Sequence, residues 1–253
     1  MPVAMLDLGA VSRFRDALRE EFREHWGQRR FPTRLNRYRI ATAYLLDEAR
    51  RRGRPLAVCE IGAGRGLLPQ MCRSTMSYLG LARERVIASW TGVDLDVSRV
   101  ERDPNYTRLE ERNIEVGQPP GEHDAYVLLH VAEHLYEPEA ALARLVASAP
   151  RGAIFVLGVP SHPHLFARWC EGRLRRERRR NGHVSAFSRM RMLRLVRGLG
   201  LAVMDERAGY LLRASGLLCE DSRWWQGANF WLGQMLPGFP GEYYLCARKP
   251  WSG

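Results

Sequence analysis

Residues 56–66 read LAVCEIGAGRG, and this stretch decides the fold of the chain. Val58 and Ile61 are apolar and β-branched, as in a buried strand, and the acid Glu60 stands near the strand's end. Glycine then occupies every second position, at Gly62, Gly64 and Gly66. Glycine accepts positive φ and lets the backbone approach a ligand closely. A glycine loop between a strand and a helix therefore predicts a nucleotide-like cofactor, bound by backbone N–H groups at the helix N-terminus.

Strand-like and helix-like segments alternate downstream of this loop. Apolar strands are predicted at residues 86–93, 125–129, 153–159, 201–210 and 242–247, and an amphipathic helix is predicted at residues 137–148. Alternation of this kind predicts a parallel sheet with helices on both faces. Two helices precede the first strand: one has an apolar stripe over residues 11–26, and the other begins near Thr33 and ends before Gly53. We therefore expect an N-terminal helical cap or flank over residues 1–53.

The charge of the chain is strongly positive. The 253 residues have a formal net charge of +11, and almost all of the basic residues are arginine, since Lys249 is the only lysine. A basic chain can bind nucleic acid, anionic lipid or a phosphorylated substrate. The charge is spread along the sequence and few aromatic residues lie among the arginines. We therefore favour a solvated basic surface and do not expect a nucleic-acid partner.

The five cysteines are scattered along the chain, and no two form a CxxC pair. They indicate free thiols in a reducing compartment, and the cysteine pattern predicts no metal site. No stretch approaches the ~20 consecutive apolar residues of a membrane span. The N-terminal residues also lack the basic-then-apolar order of a secretory signal. These features predict a cytoplasmic protein without a transmembrane segment.

Two further motifs carry functional side chains. Residues 91–96 read TGVDLD, and an acid such as Asp94 at the end of a second strand can accept hydrogen bonds from both hydroxyls of a ribose. The alternative is that Asp94 only caps the next helix. Residues 123–135 read HDAYVLLHVAEHL, which predicts a strand with His130 at its tip and Glu133 and His134 on the following turn.

This ordered series of motifs resembles the class I S-adenosylmethionine-dependent methyltransferases, most closely the branch of quinone-biosynthesis and small-molecule methyltransferases. The resemblance covers roughly residues 35–250 and continues in VP at 159–160, HVSAFS at 183–188 and ARKP at 247–250. It implies an α/β fold with a doubly wound, seven-stranded, mostly parallel Rossmann-like sheet. It also implies a methyltransferase domain over residues 54–250, in which residues 161–186 form an insertion on the substrate side.

The resemblance also implies a set of residues that bind S-adenosylmethionine. Glu60 would lie near the methionine amino group, the glycine loop near the sulfonium and ribose, Asp94 at the ribose hydroxyls and Leu95 against the adenine. The family usually has an Asp after its third strand, where this chain has Asn113, so the amide would pair with the adenine here. The full predicted set is Glu60, Gly62, Ala63, Gly64, Gly66, Asp94, Leu95, Asn113, Ile114 and His130.

Three histidines are the predicted catalytic residues: His130, His134 and His183. Alignment of the acceptor with the S–CH₃ bond supplies much of the rate of methyl transfer, and an oxygen acceptor gains further from a base. Each histidine also has a structural alternative. His134 could hold a loop in place, His183 could bond backbone carbonyls, and His130 is as well placed to touch the cofactor as the acceptor.

The acceptor side of the chain leaves several interpretations open. The arginine-rich residues 173–180 could recognise a phosphate or carboxylate, or could form a solvated helix face. The aromatic segment at residues 224–232 is more typical of a core or an oligomer seam than of a lipid-facing site. We predict transfer to a small-molecule acceptor, most simply at oxygen, with an anionic acceptor and a homodimer as options. A nucleic-acid methyltransferase, a nicotinamide-dependent oxidoreductase and a non-catalytic cofactor-binding scaffold are the alternatives.

Overall fold

The computed structural model describes residues 31–100, 105–117, 120–177, 182–209, 222–239 and 241–251. The helices are α1 (Phe31–Arg52), α2 (Leu67–Tyr78), α3 (Pro138–Ser148), α4 (His164–Glu177), α5 (Arg189–Gly198) and α6 (Arg223–Met235). The strands are β1 (Leu56–Ile61), β2 (Ile87–Asp94), β3 (Arg108–Glu111), β4 (Ala125–Leu129), β5 (Ile154–Ser161), β6 (Ala202–Ala208) and β7 (Gly241–Arg248). The helix predicted over residues 11–26 lies outside the described residues.

The seven strands form one sheet in the order β3-β2-β1-β4-β5-β7-β6. Strand β7 runs antiparallel to both of its neighbours, and the other pairs are parallel. The predicted doubly wound, mostly parallel sheet is therefore confirmed. The chain order reverses between β1 and β4, and ligands of open α/β sheets bind in the crevice at the carboxyl ends of the strands at such a point.

The sheet is buried on both faces by helices. Alternate residues of β4 point to opposite sides: Tyr126 and Leu128 join the apolar cluster that includes α3 and α5, whereas Ala125 and Val127 join the cluster that includes α1 and α2. The side chain of Leu45 in α1 is fully buried in the second cluster. Helix α1 thus packs directly on the sheet that carries the glycine loop.

A group of ion pairs holds α1 to the edge of the sheet opposite the strands' carboxyl ends. Asp124, which precedes β4, pairs with Arg52 and Arg54 and accepts a hydrogen bond from the backbone N–H of Ala57 at 3.0 Å. Asp124, the first acid of the HDAYVLLHVAEHL motif, is therefore a structural residue that joins α1, β1 and β4. No helix in the described part of the chain is long and apolar enough to cross a membrane.

Candidate functional site

The glycine loop leaves β1 at its carboxyl end, and its conformation requires glycine. Gly62, Gly64 and Gly66 have φ angles of 78°, 57° and 77°. A Cβ atom on Gly62 would lie 2.4 Å from Cγ2 of Val131, in the segment that follows β4. The N–H groups of Gly62 and Ala63 both donate to the carbonyl of Val93, at 2.7 and 3.2 Å. The loop is therefore held between the ends of β2 and β4, at the point where the strand order reverses.

Asp94 ends β2 and contacts this loop. Its Oδ2 accepts a hydrogen bond from the N–H of Gly64 at 2.8 Å, and its Oδ1 accepts one from the N–H of Leu95 at 2.7 Å. The Leu95 side chain is 66% exposed. The adjacent short helical turn is capped by Asp96, whose side chain accepts from the N–H of Ser98. Asp96, and not Asp94, therefore caps this turn. The Asp94 carboxylate lies beside the glycine loop, where it accepts the hydrogen bond from Gly64.

Glu60 is buried, and its carboxylate takes part in a local hydrogen-bond network. Its Oε2 accepts from Nε1 of Trp90 at 3.1 Å and from the hydroxyl of Tyr106 at 2.8 Å. The Tyr106 ring also packs over Gly92 and Gly66, where a Cβ would lie 2.6 and 3.3 Å from it. Sequence reasoning missed Tyr106, because it lies in a loop with no motif of its own. Tyr106 and Trp90 fix the orientation of the Glu60 carboxylate beside the glycine loop.

The residues predicted near an adenine form a compact turn after β3. Oδ1 of Asn113 accepts from the N–H of Glu115 at 2.8 Å, and Ile114 packs against the buried cluster under α3 and α5. Oε1 of Glu115 accepts from the N–H groups of Tyr136 and Glu137, at 2.6 and 3.1 Å. Glu115 therefore ties this turn to the segment after β4.

His130 follows β4 and is the non-glycine residue with positive φ, 59°, among those that the structure describes. Such a conformation costs about 1–3 kcal/mol and persists only where the surroundings enforce it. Nδ1 of His130 lies 3.0 Å from Oε1 of Glu133, and Nε2 lies 3.3 Å from the Tyr244 hydroxyl and 3.4 Å from Oε1 of Glu242. A carboxylate can only accept, so Nδ1 of His130 carries a hydrogen and donates a hydrogen bond to Glu133.

The charges around His130 favour its protonated form. Burial lowers the pKa of His130, but the Glu242 carboxylate and the hydrogen bonds to Glu133 and Glu242 outweigh it and raise this pKa above its usual value. For Glu242, burial alone would raise the pKa of the carboxyl group, but the positive charges of Arg37 and His130 keep that pKa below its usual value. Arg37 approaches Oε1 of Glu242 to 2.5 Å. Arg37, Glu242 and His130 thus link α1, β7 and the end of β4.

The structure brings His134 and His183 together, although they lie far apart in the chain. Their rings contact edge to face, with centroids 5.0 Å apart. The segment that carries His183 is anchored beneath it, because the N–H groups of Val184 and Ser185 both donate to the carbonyl of Glu133 at 2.8 and 3.0 Å. Burial lowers the pKa of His183. All three predicted catalytic histidines therefore lie near the carboxyl end of β4.

The structure describes two other predicted segments only in part. Helix α4 occupies most of the predicted insertion, and its Arg173 side chain is exposed, while residues 178–181 lie outside the described part of the chain. For the aromatic segment at residues 224–232 the sequence favours a core position or an oligomer seam, and in this structure the Trp224 side chain is 90% exposed and the Trp231 side chain is 60% exposed.

Comparison with known proteins identifies the family. The methyltransferase domain family matches residues 25–206 of the chain. The chain belongs to this family. The family confirms the predicted methyltransferase class, with S-adenosylmethionine as the methyl donor. A comparison with curated protein sequences finds no match.

Solved structures of other methyltransferases share the fold. The magnesium protoporphyrin IX methyltransferase of Synechocystis PCC 6803, solved with bound S-adenosylhomocysteine (SAH), is 15% identical, with a TM-score of 0.52 over 86% of this chain and 85% of that one. A SAM-dependent methyltransferase from Archaeoglobus fulgidus is 16% identical, with a TM-score of 0.52 over 84% and 94%. One from Mesorhizobium loti is 12% identical, with a TM-score of 0.51 over 78% and 92%.

Proposed function

We propose that this methyltransferase transfers a methyl group from S-adenosylmethionine to an oxygen atom of a small-molecule acceptor, as in the small-molecule and quinone branch of the class I enzymes. The observation that carries the proposal is the meeting of the glycine loop, Asp94 and the His130 segment at the switch point of the sheet. A crevice at that point can hold the donor against one wall and an acceptor against the other.

In this proposal the donor lies across the ends of β1 and β2. Its methionine part lies near the Glu60 carboxylate, and its ribose hydroxyls bind the Asp94 carboxylate. The exposed side chain of Leu95 would cover the adenine, and Asn113 and Ile114 would border it. The positive φ angles at Gly62 and Gly64 support this placement, because glycine lets the backbone pass close to the donor without a Cβ in the way.

The acceptor would lie on the β4 side of the donor, between the histidines and the insertion at residues 161–186. Of the three predicted histidines, His134 and His183 have exposed rings that can contact an acceptor, whereas both ring nitrogens of His130 already have protein partners. An acceptor with a negative group would suit the positive charge of the chain. Reaction in the cytoplasm suits the cysteines Cys59, Cys72 and Cys246, which are buried as free thiols.

Nucleic acid is the second candidate acceptor, and the observation that favours it is the net charge of +11. The His130 network favours the small molecule, since a buried histidine held by Glu133, Tyr244 and Glu242 follows β4. A nucleic-acid acceptor would show methyl transfer that weakens steeply with salt, because binding would release counterions from phosphates.

The test is transfer of a labelled methyl group from S-adenosylmethionine to two sets of acceptors: a panel of hydroxylated small molecules, with and without an acidic group, and total RNA and DNA. We expect label in the small molecules, and none after substitution of Asp94→Ala. His123→Ala is the matched control, because His123 precedes β4 at the opposite edge of the sheet. Label in nucleic acid alone would replace the proposed acceptor class. SAH binding without transfer to any acceptor would indicate a non-catalytic scaffold.

The histidines can be tested in the same assay. Substitution by Ala of a histidine that contacts the acceptor should lower kcat or raise KM for the acceptor and leave the affinity for SAH unchanged. A histidine that only holds the fold would instead lower the melting temperature and weaken SAH binding together.

A further inference from the structure

One side-chain cluster at the proposed acceptor site offers ligands for a metal ion. The possible ligand atoms of Glu133, His134 and His183 all lie within 4.8 Å of one another. Two imidazoles and one carboxylate are a ligand set typical of zinc and other divalent transition metals, and they leave coordination positions open. The cysteine pattern of the sequence predicted no metal, but this cluster contains no cysteine.

The buried carboxylate of Glu133 has one oxygen without a protein partner. Glu133 is only 1% exposed; His130 donates to its Oε1, while its Oε2 is buried and makes no hydrogen bond. A buried acceptor without a partner costs roughly 1–3 kcal/mol, and more for a charged group. A cation at Oε2 would remove this cost. The bond from His130 to Oε1 is also the kind of contact that orients a metal-binding carboxylate.

His134 is oriented for the same purpose. Its Nδ1 lies 3.3 Å from the carbonyl oxygen of Gly182. A carbonyl can only accept, so Nδ1 carries a hydrogen, and in the neutral ring the lone pair is then on Nε2. A contact from Nδ1–H to a backbone carbonyl is the usual arrangement in histidines that bind metal through Nε2.

His183 is held close to these two residues by the backbone of its own segment. Val184 and Ser185 donate to the carbonyl of Glu133, and the Ser185 hydroxyl donates to the carbonyl of Leu135 at 2.8 Å. Metal–ligand bonds of roughly 2.0–2.2 Å would require the three ligand atoms to approach one another further. The exposed ring of His183 can make that adjustment by rotation, while His134 keeps its contact with Gly182 and the buried carboxylate stays in place.

We propose that Glu133, His134 and His183 bind a divalent transition metal, which coordinates the oxygen of the acceptor. The role of the metal in binding the acceptor rests on the proposed function, whereas the binding of the metal by the three residues does not. The metal would lower the pKa of the coordinated hydroxyl, which then loses its proton to solvent. The oxygen forms a bond to the methyl carbon as the carbon–sulfur bond breaks, and the sulfonium becomes the neutral thioether of S-adenosylhomocysteine. The substrate class is therefore hydroxylated small molecules whose oxygen can bind a metal.

The test uses the full chain, free of any histidine tag and stripped by a chelator. Co²⁺ alone is titrated, and binding is followed by its visible absorption and by calorimetry. We expect one equivalent to bind, with an affinity at least about tenfold lower after His183→Ala or Glu133→Gln. His123→Ala, which removes a histidine elsewhere on the protein, should bind as the wild type does.

Three outcomes would overturn the proposal: no saturable binding, equal binding by His183→Ala, or loss of binding in His123→Ala. His183 is exposed, so its variant keeps the test valid if the Glu133 variant does not fold. SAH binding is measured on the same samples. A wild-type protein that binds Co²⁺ but not SAH would refute the proposed function alone. A wild-type protein that binds SAH but not Co²⁺ would refute the metal site alone.

Discussion

Substitution of Gly62 by Ala tests the close contact between the glycine loop and the segment after β4. The added Cβ would lie 2.4 Å from Cγ2 of Val131, far inside van der Waals contact. An alanine at φ 78° costs about 1–2 kcal/mol, and the overlap adds about 1–3 kcal/mol. A domain of this size loses ~2–4 °C in melting temperature per kcal/mol, so we expect a decrease of roughly 4–20 °C.

Gly64→Ala is the matched control for this experiment. Gly64 also has positive φ, but a Cβ added there would lie 3.9 Å from its nearest neighbour, so only the conformational cost of about 1–2 kcal/mol remains. The double variant Gly62→Ala, Val131→Ala removes the overlapping methyl group. The free energy of unfolding is measured for the wild type, Gly62→Ala, Val131→Ala and the double variant, which together form a double-mutant cycle. We expect the double variant to be about 1–3 kcal/mol more stable than the sum of the two single effects predicts. Equal destabilisation by the two glycine variants, or no recovery in the double variant, would refute the reasoning.

Three further predictions concern stability. Burial would raise the pKa of Glu48, but hydrogen bonds from Arg248 and two other arginines lower it to about 2. The contribution of these ion pairs to the free energy of unfolding is therefore fully present above pH ~4.5 and is lost as the pH falls towards 2. Glu48→Gln should lower the free energy of unfolding by about 3–5 kcal/mol at pH 7, and the melting temperature of the variant should depend less on pH in the acid range. Tyr106→Phe should cost about 1.5–3 kcal/mol in urea unfolding, because it removes a hydrogen bond to the Glu60 carboxylate, and an unchanged midpoint would contradict this. Ser188→Ala should cost about 1 kcal/mol through loss of the cap of α5, and Ser188→Asp should retain most of the stability.

The sequence predicted the elements whose pattern is local. The strand at residues 125–129 agrees with β4 to the residue, and the helix predicted at 137–148 agrees with α3 within one residue, because Pro138 marks its first turn. The long interval between the glycine loop and Asp94 is explained by α2 and a short helical turn at Arg83–Arg85. Apolar periodicity and turn residues suffice for such predictions.

The contacts that assemble the site could not be predicted in this way, because they join distant parts of the chain. Nothing in the local sequence indicates that Tyr106 bonds Glu60, or that Glu242 in β7 lies beside His130. The same holds for His183, whose approach to His134 depends on two backbone hydrogen bonds from the following residues. The residue types were visible in the sequence, but their partners depend on the strand order.

Calorimetric titration with SAH tests the central claim most directly. The carboxylate of Asp94 should bind the ribose, so Asp94→Asn should weaken SAH binding by about 1.5–3 kcal/mol, or roughly 10- to 150-fold. Asp96→Asn is the control, since Asp96 caps the neighbouring turn two residues away. We predict one SAH per chain, with affinity reduced in Asp94→Asn and retained in Asp96→Asn. Absence of SAH binding by the wild type, or an equal effect of the two substitutions, would contradict the account.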